Sequence, residues 1–281
     1  MNLLEWIRIV LIGIIEGITE WLPISSTGHM LLFDELFTTQ APKVFTEQFS
    51  EMFMVVIQLG AILAVVTLYF NKLNPWAKSK SVQQKKNTYS LWGKVIVGCL
   101  PAAVFGLLFD DWMEAHFGDH VTIAVMLILY GVLFILLEYR NRNREFSIQR
   151  FSQMTYKTAL IIGLIQILSL VPGTSRSGVT ILGAMLIGCS RYIAAEYTFY
   201  LAIPVMFGAS GLKVVKYLLK GNSFTGEQVL VMAVAMVIAY AVSVLAIKFL
   251  VGYIKKHDFT VFGYYRIALG ILVLVCFGLF L

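Results

Sequence analysis

Charge is scarce in this chain. Asp, Glu, Lys and Arg make up 14% of its 281 residues, where a soluble protein carries roughly 25%. That excludes an ordinary soluble domain, which needs more charge to cover a water-facing surface. Cysteine is also scarce: Cys99, Cys189 and Cys276 are odd in number and all lie in apolar runs. A disulfide framework or a cysteine metal site is therefore not expected, and the three read as packing residues. Nothing resembles a cleavable signal, because the first apolar stretch contains Glu5, Arg8 and Glu16 and no small-residue cleavage site follows it. Apolar residues are what the chain has in excess, at 59%, in long runs from end to end. The expected fold class is an all-α polytopic membrane protein. The formal charge of +6 does not indicate nucleic acid, because the lysines and arginines sit in short loops between apolar runs, as topogenic charges do.

Six spans are expected, at roughly 52–70, 92–110, 121–138, 195–219, 228–251 and 262–281, each near the ~20 residues that cross a bilayer. The loop 71–94 holds Lys72, Lys78, Lys80, Lys85, Lys86 and Lys94, and the loop 139–157 holds Arg140, Arg142, Arg144, Arg150 and Lys157. Between them 110–120 is acidic, with Asp110, Asp111, Glu114 and Asp119. The positive-inside rule puts both basic loops in the cytoplasm and the acidic one outside. Lys255 and Lys256 agree with an inside loop, whereas Lys213, Lys216 and Lys220 fall outside and run against the rule.

Two further apolar stretches are broken by proline. In 3–37, Pro23 interrupts the run and Met30 to Phe37 is too short to cross alone. In 158–190, Pro172 and Gly173 do the same. Each reads as a re-entrant helix hairpin. Shifting the chain by 150 residues aligns Gly13 with Gly163, Ile15 with Ile165, Ser25 with Ser175, Gly28 with Gly178 and Leu32 with Leu182. Each half is then one hairpin plus three spans. Three is odd, so the halves are inverted, and such repeats place a site where their broken helices meet. One integral membrane domain, 1–281, is expected, with repeat one about 1–140 and repeat two about 150–281.

The two breaks carry the polar chemistry. Glu16 and Glu20 are four apart and share a helix face. Close carboxylates in a low dielectric need a proton or a cation between them. After Pro23 come Ser25, Ser26, Thr27, Gly28 and His29. One hydroxyl suffices as an N-cap. Three, followed by a histidine, exceed that need, and a helix N-terminus suits phosphate. In the second turn Gly173, Thr174, Ser175, Ser177 and Thr180 surround Arg176, a fork that matches phosphate bidentately. It is not a Walker A loop. Carboxylates repel phosphate, so a divalent cation, Mg²⁺ or Ca²⁺, is implied at Glu16 and Glu20. Phosphoryl transfer to water fits this set, with Glu20, His29 and Arg176 as catalytic candidates. Ser25, Thr27, Gly173, Thr174, Ser175, Ser177 and Thr180 are candidates to bind the phosphate. Of the remaining polar residues, Gln58 and Glu196 are expected to line the cavity, and Glu138 and Arg191 to snorkel from span ends. His116, His120 and His257 are assigned no role.

The run Glu16, Gly17, Ile18, Thr19, Glu20, the run Leu22 to His29, and the run Pro172 to Thr180 resemble the undecaprenyl-pyrophosphate phosphatase family, also called the bacitracin-resistance family. The resemblance implies removal of the terminal phosphate from undecaprenyl pyrophosphate. That step recycles the lipid carrier for peptidoglycan synthesis and gives bacitracin resistance. It also implies a divalent metal and a site open to the outer face of the cytoplasmic membrane. By position, Glu20, His29 and Arg176 would be essential, Ser26 a candidate nucleophile and Glu16 a supporting carboxylate. Serine and activated water both stand as the attacking group, with Ser26 preferred. The expected partners are the lipid substrate and membrane lipid, with no nucleic acid; a homodimer is an open expectation. The alternative function is a transporter or flippase of a polyprenyl phosphate.

Overall fold

The computed structural model describes residues 3–37 and 45–279. Helix α1 (Leu3–Thr19) and α2 (Ser26–Phe37) flank the first break. Arg8 of α1 reaches Asp34 of α2 at 2.7 Å, so the two fold back on each other. Next come α3 (Glu47–Val56) and α4 (Gln58–Leu68), which run on as one span, then the short α5 (Phe70–Leu73), α6 (Val82–Phe117) and α7 (His120–Asn141). The second break lies between α8 (Tyr156–Gln166), with the 3₁₀ turn Ile167–Leu170 behind it, and α9 (Arg176–Ile187). The chain closes with α10 (Arg191–Leu219), α11 (Gly226–Tyr253) and α12 (Thr260–Leu279). Among the described residues, six helices are long and apolar enough to cross a membrane: Glu47–Leu68, Val82–Phe117, His120–Asn141, Arg191–Leu219, Gly226–Tyr253 and Thr260–Gly278.

Those six are the expected spans, but one has different bounds. Helix α6 takes in the latter half of the loop expected at 71–94 and most of the acidic loop expected at 110–120. It starts where Ser81 and Gln84 form a capping box and stops at Gly118. Lys86, Asp110 and Asp111 are exposed and Lys85 half-buried on a helix, not in loops. A helix that projects beyond the bilayer can carry charge on its surface, so charge alone did not mark its ends.

The helices pack in reciprocal pairs. Helix α1 lies on α11, and α8 lies on α6; α4 meets α10, and α7 meets α12. Small residues allow these close approaches, as membrane helices require. A Cβ on Gly13 would stand 2.9 Å from the Ala235 carbonyl of α11. One on Gly163 would strike the Gly98 backbone of α6. Gly131 and Gly263 each face the other's carbonyl, where a Cβ would sit at 2.7 Å.

At one end of the bundle the buried acids are paired. Glu138 holds Arg191 through both carboxylate oxygens and accepts the Phe259 N–H at 3.0 Å. Glu196 accepts Lys72 at 2.6 Å and Tyr192 at 3.0 Å. Two expectations are corrected here. Glu138 and Arg191 do not snorkel but neutralise each other, because a carboxylate left with 3% exposure requires a partner. Glu196 belongs to this end, on Lys72, and does not line the cavity between the breaks. At the opposite end Lys216 pairs with Asp111 at 3.2 Å, so part of the charge that ran against the positive-inside rule is matched by acid.

Candidate active site

The two breaks are built alike. Helix α1 unwinds after Thr19 through i→i−4 bonds from Glu20 N to Glu16 O (3.1 Å) and Leu22 N to Ile18 O (3.3 Å), then a tight Ile24 N to Leu22 O contact (2.7 Å) around Pro23. Ser25 then has φ +71°, and α2 begins at Ser26. In the second break Pro172 is followed by Gly173 at φ +87°, whose missing Cβ would lie 2.6 Å from the Ile123 carbonyl. Only glycine fits there. Ser175 has φ +70°, caps α9 and accepts the Gly178 N–H at 3.2 Å. Ser25 and Ser175, the pair aligned by the 150-residue shift, both hold a left-handed conformation that serine rarely adopts. Strain of this kind persists where surrounding structure imposes it, commonly at functional sites.

Glu20 and Arg176 bring the breaks together. Arg176 Nη2 donates to Glu20 Oε1 at 2.5 Å, and Nη1 donates to the Thr198 carbonyl at 3.0 Å. The guanidinium lies over the Trp21 ring at 5.9 Å. Glu16, one turn before Glu20, is buried with Oε1 unpartnered among the described residues. Ser25 Oγ is likewise buried without a partner among the described residues, and the buried Thr174 side chain lies beside the Tyr130 phenol. Buried polar atoms normally find a partner, and an orphaned carboxylate oxygen one helical turn from an ion pair suits a polar ligand.

The other expected residues divide. Ser26 is half-buried and Thr27 exposed at the start of α2. Ser177 Oγ lies 3.2 Å from Ser175 Oγ. Thr180 is fully buried; its hydroxyl donates to the Arg176 carbonyl at 2.8 Å and accepts from Thr198 at 2.9 Å. It is thus spent on the backbone that carries Arg176. Both nitrogens of His29 are engaged away from the Glu20–Arg176 pair, on Ser25 O and Tyr265 Oη at 2.7 Å each.

Two residues that contact the breaks were missed in the sequence. Arg266, in the middle of α12 and fully buried, donates to Pro23 O (3.3 Å) from the first break and to Gly173 O (3.0 Å) and Thr174 O (2.9 Å) from the second. Tyr265 beside it holds His29. The signal for Arg266 was present: an arginine inside an apolar span is itself a functional-site flag. A surface cavity of about 650 Å³, lined by Arg191, Tyr253, Lys255, Lys256, His257 and Asp258 among others, lies where α11 turns into α12 and contains none of the expected site residues. Chemistry, not volume, picks out the site.

Among the described residues no three of His, Cys, Asp and Glu gather as a ready-made metal cluster. A magnesium-like ion needs only one or two carboxylates, with the remaining oxygens from water and phosphate. Glu16, with its orphaned buried oxygen, and Glu20 beside it fit that demand.

Residues 9–272 match the family described as "Bacitracin resistance protein BacA". The chain is similar to the "Undecaprenyl-diphosphatase" of Enterococcus faecalis, 55% identical over 267 residues, covering 95% of each chain. It is similar to that of Acetivibrio thermocellus, 54% identical over 275 residues and 98% of each chain. It is also similar to that of Streptococcus thermophilus, 53% identical over 272 residues, which are 97% of this chain and 93% of the relative.

Proposed function

This chain belongs to the bacitracin resistance protein BacA family, and on that premise we propose that it hydrolyses undecaprenyl pyrophosphate to undecaprenyl phosphate and inorganic phosphate. The observation that carries this reading is the Glu20–Arg176 pair between two broken helices, with buried Glu16 Oε1 and Ser25 Oγ left without partners among the described residues. The terminal phosphate takes the Arg176 fork in place of Glu20, and the first turns of α2 and α9 supply hydroxyls and free N–H groups. Ser26 and His29 are three apart on one face of α2. Ser26 Oγ attacks the terminal phosphorus and gives its proton to His29, the anhydride P–O bond breaks, and the lipid monophosphate leaves. Water then releases inorganic phosphate from the serine. Thr180 and Thr198 support Arg176 from behind. A divalent ion held by Glu16 and Glu20 would neutralise charge on the diphosphate.

We further read the chain as one domain of two inverted repeats, each a re-entrant hairpin and three spans. Three features support this. The first hairpin helix of each half packs on the second span of the other half: α1 on α11, α8 on α6. First spans meet first spans, and third meet third. The breaks share their left-handed serines. An outward-facing site is supported by Gly173, which abuts Ile123, one turn from the Asp119-capped acidic end of α7.

Purified protein with Mg²⁺ or Ca²⁺ should release inorganic phosphate from a polyprenyl pyrophosphate. No release by wild-type protein shown to be folded rejects the reading. The interdigitated halves also favour a second activity, movement of the lipid phosphate across the bilayer. Lipid transfer in liposomes that persists in Arg176→Ala and Glu20→Ala, while hydrolysis is lost, would establish it as separate.

A further inference from the structure

Tyr265 of α12 touches His29, the base of the reaction described above. His29 Nδ1 lies 2.7 Å from the Ser25 carbonyl. A carbonyl only accepts, so Nδ1 carries a proton. In a neutral imidazole the lone pair is then on Nε2, and Nε2 lies 2.7 Å from Tyr265 Oη. The phenol therefore donates. The two rings stack with centroids 5.6 Å apart and planes within 10°. Phenylalanine would supply that stack equally well; what tyrosine adds is the hydroxyl on the one basic nitrogen. Arg266, the next residue, anchors this part of α12 to both breaks, so the phenol is placed by the same contacts that join the turns.

We propose that Tyr265 is a positioning residue for the hydrolysis: it holds His29 in the Nδ1–H tautomer and in one orientation, with Nε2 kept as a proton acceptor until substrate displaces the phenol. This rests on the reading of His29 as the base in that reaction. A histidine free to flip would spend part of its time with the proton on Nε2, where it cannot accept one.

The test is Tyr265→Phe in detergent or nanodiscs, with ¹⁵N-histidine NMR and steady-state hydrolysis of a polyprenyl pyrophosphate with Mg²⁺. The His29 resonances are assigned by their loss in His29→Gln. Wild-type protein should show Nδ1 protonated and Nε2 as a hydrogen-bonded acceptor. Tyr265→Phe should move the Nε2 resonance, lower kcat about ten-fold, the worth of one hydrogen bond, and leave KM within about two-fold. An Nε2–H tautomer in the wild type overturns the proposal, as does a Phe variant with unchanged kcat. If the Phe variant does not fold, the wild-type tautomer decides. Absence of wild-type hydrolysis would instead remove the proposed function, and the spectrum would still report whether Tyr265 sets the tautomer.

Discussion

Arg266 joins three carbonyls from two turns that are far apart in sequence. Arg266→Met leaves those carbonyls facing an apolar chain, at a cost of about 2 kcal/mol or more. A lower melting temperature in detergent, together with lost hydrolysis, is the expected result; a variant as stable as wild type would mean that other contacts hold the turns. At Arg176 the charge alone is not enough. Arg176→Lys keeps a cation but cannot hold Thr198 O and Glu20 together, so turnover should fall at least ten-fold or so; near-wild-type turnover would exclude bidentate phosphate binding. Glu20→Gln and His29→Ala should abolish turnover with the fold intact. If Ser26 attacks phosphorus, acid-quenched enzyme should carry a phosphoserine in mass spectrometry, and Ser26→Ala should not. Turnover by Ser26→Ala at the wild-type rate assigns the attack to water. Arg176 and the two glutamates were legible as residues because ionised groups in apolar runs are conspicuous. Their pairing was not, because Glu20 and Arg176 are 156 residues apart.

At the scale of the element, glycines divide by what they face. Gly163→Ala and Gly60→Ala would drive a methyl group into the Gly98 and Met236 backbones, and backbone cannot give as a side chain can. Each should destabilise by roughly 1–3 kcal/mol. Gly211→Ala, in α10 with open space around it, should be neutral or gain up to about 1 kcal/mol from helix propensity. Equal effects at the three sites would contradict the packing. The N-terminus of α7 adds a pH dependence. The Thr122 hydroxyl and N–H, and then the Val121 N–H, hold the Asp119 carboxyl below the usual carboxylate range. A depressed folded-state value stabilises above the unfolded value, near 4, and that stabilisation is lost as pH falls through the folded one. Asp119→Asn keeps an acceptor without the charge. Melting curves between neutral and acid pH should therefore show a smaller loss for Asp119→Asn than for wild type. The spans themselves were readable from hydropathy. The ends of α6 were not, because they are decided by the Ser81–Gln84 box and Gly118, and its charged turns beyond the bilayer resemble loop in sequence.

For the whole molecule, orientation is testable in intact cells. In a cysteine-free background, a single cysteine at Asp119 or Asn222 should react with a membrane-impermeant thiol reagent. One at Lys78 should react only after permeabilisation. The reverse pattern would turn the site toward the cytoplasm. Hydropathy and charge along the chain were sufficient for a helical membrane protein with two broken segments, since the cost of exposing polar backbone in lipid leaves few other choices. The motif residues were likewise sufficient for the family. Only the folded bundle decided that α12 brings Arg266 and Tyr265 onto the two breaks, that Thr180 is hydrogen-bonded to backbone, and that the buried acids Glu138 and Glu196 pair at the opposite end. Those assignments depend on which helices become neighbours, and apolar helices look alike in sequence until close packing of glycines and pairing of buried charge select one arrangement.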